Sequence, residues 1–198
     1  MPRFLALGDS YTIGEGVAEP ACWPRQLAAS LRGDGVPLED PLIVARTGWT
    51  VDELDAGITA AAPTGPFALV SLLVGVNDQF RGLPLVGFLR GYAEVLARAV
   101  TLAGDDPSRV VVLSIPDWGV TPFAADDRRA GIAAAIDAFN AAARGIVEPV
   151  GARWVDVTGD SRERTDGWLT TDGLHPSGRQ YAAWTARALP AARAALGY

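Results

Sequence analysis

The chain has 198 residues and carries 23 acidic side chains against 17 basic ones, all arginine, for a net charge of −6. That balance, with no basic block to track a phosphate backbone, argues against nucleic acid as a partner. A single cysteine, Cys22, excludes an intrachain disulfide and, with no evident basic neighbour, reads as a small packing residue, while the length suits one domain over residues 1–198.

The N-terminus passes from Met1-Pro2-Arg3 into an apolar run too short for a signal peptide, and no run approaches a membrane span. The expectation is a soluble, cytoplasmic protein. A first strand is predicted over 3–7, stopped by Gly8-Asp9-Ser10, and a helix over 23–32 that exits at Asp34-Gly35. A second strand over 42–45 ends in Arg46-Thr47-Gly48 and precedes a helix over 51–61, with Thr50 and Glu53 spaced as a capping box. The third strand, 67–74, runs into Gly75-Val76-Asn77-Asp78, followed by a helix over 85–103 that leaves at Gly104-Asp105. A fourth strand over 110–115 precedes a helix over 128–147 whose apolar residues recur at helical spacing. The last strand, 154–157, is followed by a loop containing Asp172-Gly173-Leu174-His175 and a helix over 177–195. Short apolar strands alternating with longer helices indicate an α/β fold with a five-stranded, mainly parallel sheet covered on both faces.

In such a sheet, ligands bind beyond the carboxyl ends of the strands, so the loops after strands are where chemistry belongs. A serine hydroxyl near neutral pH needs a base to take its proton, most often a neutral imidazole. This chain contains one histidine. If Ser10 is a nucleophile with a histidine base, that base is His175. Asp172, three residues earlier in a glycine-containing turn, can reach the imidazole Nδ1 and leave Nε2 to accept the Ser10 proton. The tetrahedral oxyanion formed on attack needs preorganised donors, which the amides of Ser10 and Gly48 and the side chain of Asn77 would supply. Each residue also has a plainer reading. Gly-Asp-Ser is an ordinary turn tripeptide, His175 could cap the helix after Pro176, Gly48 could be a turn glycine, and Asn77-Asp78 could be a helix N-cap.

Taken together, Gly8-Asp9-Ser10-Tyr11, Gly48, Gly75-Val76-Asn77-Asp78 and Asp172-Gly173-Leu174-His175-Pro176 resemble, in order, the four blocks of the SGNH hydrolases, also called the GDSL lipase/esterase family. The resemblance spans Gly8 to Pro176. It implies a flavodoxin-like three-layer α/β/α sandwich, a Ser10, Asp172, His175 triad, Gly48 and Asn77 as oxyanion donors with the Ser10 amide, and no metal or organic cofactor. Tyr11 stands where the name-giving motif has leucine, at a position that contributes mainly to packing.

Such a hydrolase would take a small-molecule ester. The segments flanking the site, 79–84 and 116–123, are short, aromatic and apolar, which suits a small acyl group, with Phe80, Arg81 and Trp118 as candidate substrate contacts. Phe80, Trp118 and Phe123 could equally anchor their loops, and Arg81 could be solvated. Trp23, Trp49 and Trp168 read as core, and Arg162-Glu163-Arg164 as a surface turn. The alternatives are deacetylation of a sugar or secondary metabolite, with Gln79, Arg81 and Asp117 gripping hydroxyls, and lysophospholipase or thioesterase activity. A non-enzymatic alternative is a flavodoxin-like nucleotide- or flavin-binding protein, for which Gly14-Glu15-Gly16 is an incomplete glycine fingerprint.

Overall fold

In the computed structural model, which describes residues 1–163 and 166–198, five strands form a parallel sheet. They are β1 (Phe4–Gly8), β2 (Leu42–Ala45), β3 (Leu69–Leu73), β4 (Val110–Leu113) and β5 (Arg153–Val155), in the order β2-β1-β3-β4-β5. Every residue of β1, β3 and β4 is buried, so these strands read as unbroken apolar runs without alternation. β2 lies at an edge and exposes Leu42.

Five long helices cover the sheet: α2 (Trp23–Gly33), α3 (Val51–Ala61), α5 (Leu85–Leu102), α6 (Arg129–Val147) and α8 (Gly178–Leu196). On one side α2 packs along α8, which lies over β3, β4 and β5. On the other, α3, α5 and α6 stand in a row against β2, β3 and β5. This is the three-layer sandwich expected from the alternation of elements. Trp23, Leu27, Leu31, Tyr181 and Trp184 fill one interlayer, and Leu54, Ile58, Val95, Ala99 and Ile136 the other, all essentially without exposure. By its length and apolar composition the segment Asp126–Val147 could cross a bilayer, contrary to the expectation that no run approaches that length. Its apolar stripe, Ile132, Ile136, Phe139, Ala143 and Val147, is buried within the fold.

Predicted strands overran their ends. The Ser114 amide still bonds to Val155, but the Ile115 amide is taken by the Asn140 side chain, and β4 stops. Three short helices were not foreseen: α1 (Ser10–Ile13), α4 (Val76–Phe80) and α7 (Thr158–Arg162). At four or five residues each they are too short to display a helical period. Two of them begin at the mouths of β1 and β3, where the chain diverges to opposite sides of the sheet and opens a crevice.

Candidate active site

Ser10 opens α1, only 5% exposed, directly after the buried end of β1. Asp9 caps this turn, its Oδ1 accepting the Tyr11 amide at 3.0 Å. A Cβ at Gly8 would collide with the Thr12 side chain and the Leu73 carbonyl, so only glycine lets the chain turn this close to β3. Gly14 ends α1 in the left-handed region, its amide donating to the Ser10 carbonyl, and the Glu15 carboxylate accepts the Thr47 hydroxyl. Gly14-Glu15-Gly16 is therefore a helix exit tied to the loop after β2.

His175 and Asp172 lie in a hairpin closed by a bridge between Leu169 and Pro176 and by the Thr170 amide donating to the His175 carbonyl at 2.8 Å. Asp172 Oδ1 accepts from the Thr170 hydroxyl and from the Leu174 and His175 amides, and Oδ2 lies 2.6 Å from His175 Nδ1. Partial burial pushes the Asp172 carboxyl up. Hydrogen bonds from the His175 ring, the Thr170 hydroxyl and the two amides outweigh that and hold it well below the usual carboxylate range. An ionised carboxylate only accepts, so Nδ1 carries the proton and Nε2 is the acceptor nitrogen. The ring is 12% exposed and meets the edge of Tyr11 at 5.8 Å between centroids. Ser177, not His175, caps α8.

The third component joins α4 to the loop after β2. Asn77 Nδ2 donates to the Trp49 carbonyl at 2.8 Å, Asp78 Oδ2 accepts the Val51 amide at 3.1 Å, and Arg81 Nη2 donates to the Gly48 carbonyl at 2.6 Å. The N-cap position of α4 belongs to Gly75, so Asn77 is not a cap, while Asp78 caps α3 from a distance. The capping box of Thr50 and Glu53 is formed as expected. Gly48 adopts φ 85°, a conformation that side chains disfavour. Among the described residues, the amides of Ser10 and Gly48 have no acceptor, and Asn77 keeps its second amide hydrogen unused.

Ser10, Gly48, Asn77 and His175 line one cavity of about 160 Å³, with Tyr11, Thr47, Val76, Phe80, Trp118, Phe123 and Leu174. No Ser10 to His175 hydrogen bond is formed among the described residues, and such contacts often tighten only when substrate is bound. Phe80, Trp118 and Phe123 pack on one another, with Phe80 to Trp118 at 5.2 Å and 71°, and both phenylalanines are about half exposed at the rim. Trp118 is buried, its indole donating to Gln79.

Three sequence expectations need correction. Arg81 does not line the cavity, because its guanidinium is held by the Gly48 carbonyl and by Glu53 at 3.1 Å. Arg162 is no free surface charge, for it pairs with buried Asp117 at 2.9 Å and with Asp137 at 2.7 Å; Arg164 lies outside the described residues. Trp168 is only half buried and bonds to the Asp160 carbonyl, whereas Trp23 is core and Trp49 packs at its margin over Gly57. Thr47, Val76 and Leu174 were overlooked as cavity lining, and adjacency to Gly48, Asn77 and His175 was the only signal for them.

Burial pushes the Asp9 carboxyl up to about 8 against the pull of its hydrogen bond from Tyr11, and Asp78 nearby adds to the rise. Burial likewise lifts Asp78 to about 6. A folded-state value above the unfolded one favours the protonated form, so this stability is full below about pH 4 and is lost as pH rises through about 6 for Asp78 and about 8 for Asp9. Asp9→Asn, which keeps a capping oxygen, should flatten the decline in urea midpoint between pH 4 and 8. An unchanged pH slope would contradict a buried, protonatable Asp9.

Comparison with known proteins bears on what this arrangement serves. The sequence model of the GDSL-like lipase/acylhydrolase family matches residues 6–183. No curated protein matches the chain in sequence. Solved structures share its fold, among them the lipase Lip_vut3 from a goat rumen metagenome, with a TM-score of 0.79 and 18% identity over 96% of this chain and 97% of that one. The psychrotrophic esterase EstA from Pseudoalteromonas sp. is similar at a TM-score of 0.69 and 17% identity over 100% of both chains. The acetyl xylan esterase AlAXEase gives 0.75 and 18% over 96% and 98%. At these identities the structural likeness concerns the fold. The family match runs from the strand that delivers Ser10 into the helix that follows His175, and the chain therefore belongs to the GDSL-like lipase/acylhydrolase family and is a hydrolase of ester bonds.

Proposed function

We propose that this hydrolase cleaves short-chain carboxylic esters through an acyl-enzyme on Ser10. The observation that carries the reading is that Ser10 and an Asp172-bound His175 line the same small cavity as Gly48 and Asn77, three of whose N–H groups, counting the Ser10 amide, have capacity to spare. Ser10 Oγ attacks the carbonyl carbon as its proton passes to His175 Nε2, and the carbonyl oxygen becomes an oxyanion held by the Ser10 and Gly48 amides and the Asn77 side chain. Collapse breaks the ester bond, and the alcohol leaves with the proton from Nε2. Water then gives a proton to Nε2, attacks the acyl carbon, and releases the acid as Ser10 recovers its hydrogen. Asp172 stays ionised throughout and steadies the imidazolium.

The cavity favours small acyl groups. Its volume of about 160 Å³ is bounded by Val76, Trp118 and Leu174, and it lies below the several hundred Å³ usual for drug-sized ligands. A p-nitrophenyl series should therefore peak in kcat/KM between acetyl and butyryl and fall at least about tenfold by octanoyl. A maximum at octanoyl or beyond would favour a lysophospholipase or long-chain thioesterase instead. The likeness to an acetyl xylan esterase favours a second reading, deacetylation of a sugar. Against it, Gln79 is bonded to Trp118, Asp117 to Arg162, and Arg81 to Gly48, so the polar groups expected to grip hydroxyls are engaged. A higher kcat/KM for an acetylated xylose than for p-nitrophenyl acetate would reverse the order of these two readings.

A further inference from the structure

We propose that Arg81 is a positioning residue for the oxyanion hole, acting through Gly48 and not through the substrate; this rests on the reading of Gly48 as a donor given above. Gly48 has φ 85° and little around it. A Cβ built there would meet a single side-chain atom within 4 Å, Arg81 Nη2 at 3.9 Å. Packing therefore does not fix the Gly48 backbone. Hydrogen bonds do. The peptide between Gly48 and Trp49 is held at both ends, the Trp49 amide donating to the Arg46 carbonyl at 3.2 Å and the Gly48 carbonyl accepting from Arg81 at 2.6 Å. The next carbonyl, of Trp49, is the one that orients Asn77.

Arg81 is itself held from behind. Its guanidinium pairs with Glu53, whose carboxylate accepts the Thr50 amide at 2.8 Å in the capping box of α3. The planar fork of arginine suits this double task, one arm on a carbonyl and one on a carboxylate. The Glu53 charge sits beside the guanidinium, so the contribution we assign is placement of the Gly48 peptide more than a naked positive field. As a half-exposed ion pair it adds little to stability, which separates the proposed role from a purely structural one.

The test compares Arg81→Ala, Arg81→Lys and Glu53→Gln with the wild type on p-nitrophenyl acetate. It also measures affinity for a trifluoromethyl ketone, which forms an oxyanion on the attacking serine. Arg81→Ala should lower kcat by about ten- to a hundredfold, less than outright loss of a donor, with KM within about threefold of wild type. Ketone affinity should fall by the same factor, while the melting temperature moves little. Arg81→Lys, which reaches only one of the two partners, should recover part of kcat, and Glu53→Gln, which keeps the cap, should show a smaller loss in the same direction. Those two variants carry the test if Arg81→Ala fails to fold. Unchanged kcat in Arg81→Ala, a raised KM with kcat retained, or a kcat loss without loss of ketone affinity would each overturn the proposal. Ser10→Ala in the same assay keeps the two levels apart: an inactive Ser10→Ala beside a fully active Arg81→Ala removes only the positioning role, whereas an active Ser10→Ala removes the reading beneath it.

Discussion

His175→Ala should lower kcat/KM for p-nitrophenyl acetate by about ten-thousandfold or more, as should Ser10→Ala, and the double variant should be little worse than either alone. Non-additivity follows because nucleophile and base act as one unit: without a base the serine hydroxyl keeps its proton, and without the hydroxyl the base has no partner. No other imidazole exists in the chain to substitute. Asp172→Asn should cost less than either, because an amide oxygen can still accept the Leu174 and His175 amides that shape the turn. What it loses is the negative charge opposite Nδ1, and with it the preference for the tautomer that leaves Nε2 as acceptor. If Asp172→Asn proved as damaging as Ser10→Ala, stabilisation of the imidazolium would have to outweigh orientation. Both single alanine variants should keep the wild-type melting temperature within a few degrees, since neither side chain belongs to the buried apolar core.

Asn77→Ala should reduce kcat by about a hundred- to a thousandfold while leaving KM nearly unchanged, the pattern of a donor that engages the oxyanion more strongly than the ground-state carbonyl. The structure gives a second reason for a large effect. Asn77 fixes itself by donating one amide hydrogen to the Trp49 carbonyl, so removing it also releases the backbone next to Gly48. Steady-state kinetics with an ester and affinity for the trifluoromethyl ketone should move together. A loss confined to KM would place Asn77 at substrate binding.

Much of this architecture is legible in the chain. Buried strands of a parallel sheet announce themselves as short apolar runs, and the turn residues after Leu7, Ala45 and Val74 mark where a crevice opens. Ser10, Gly48, Asn77 and His175 could be nominated because each sits just beyond a strand or in the last loop, and because a lone histidine leaves no choice of base. Arg81 and Arg162 were misplaced for a common reason. Their partners, Gly48 and Glu53 for the one, Asp117 and Asp137 for the other, are 25 or more residues away, and no local pattern reveals a carbonyl or carboxylate brought in by the fold. The helices α1 and α4 hid for another reason: a single turn at a strand end shows no periodicity, yet these turns set the amide of Ser10 and the side chain of Asn77 at the cavity.

The central claim is that Ser10 is a nucleophile activated by His175. Its most direct test is to treat the wild-type protein and His175→Ala with a fluorophosphonate, then locate and time the adduct by mass spectrometry of peptides. The account predicts one adduct, on the peptide carrying Ser10, forming in step with loss of esterase activity and at least about a hundredfold more slowly in His175→Ala. An adduct on any other residue, or full activity in a protein completely modified at Ser10, would contradict it.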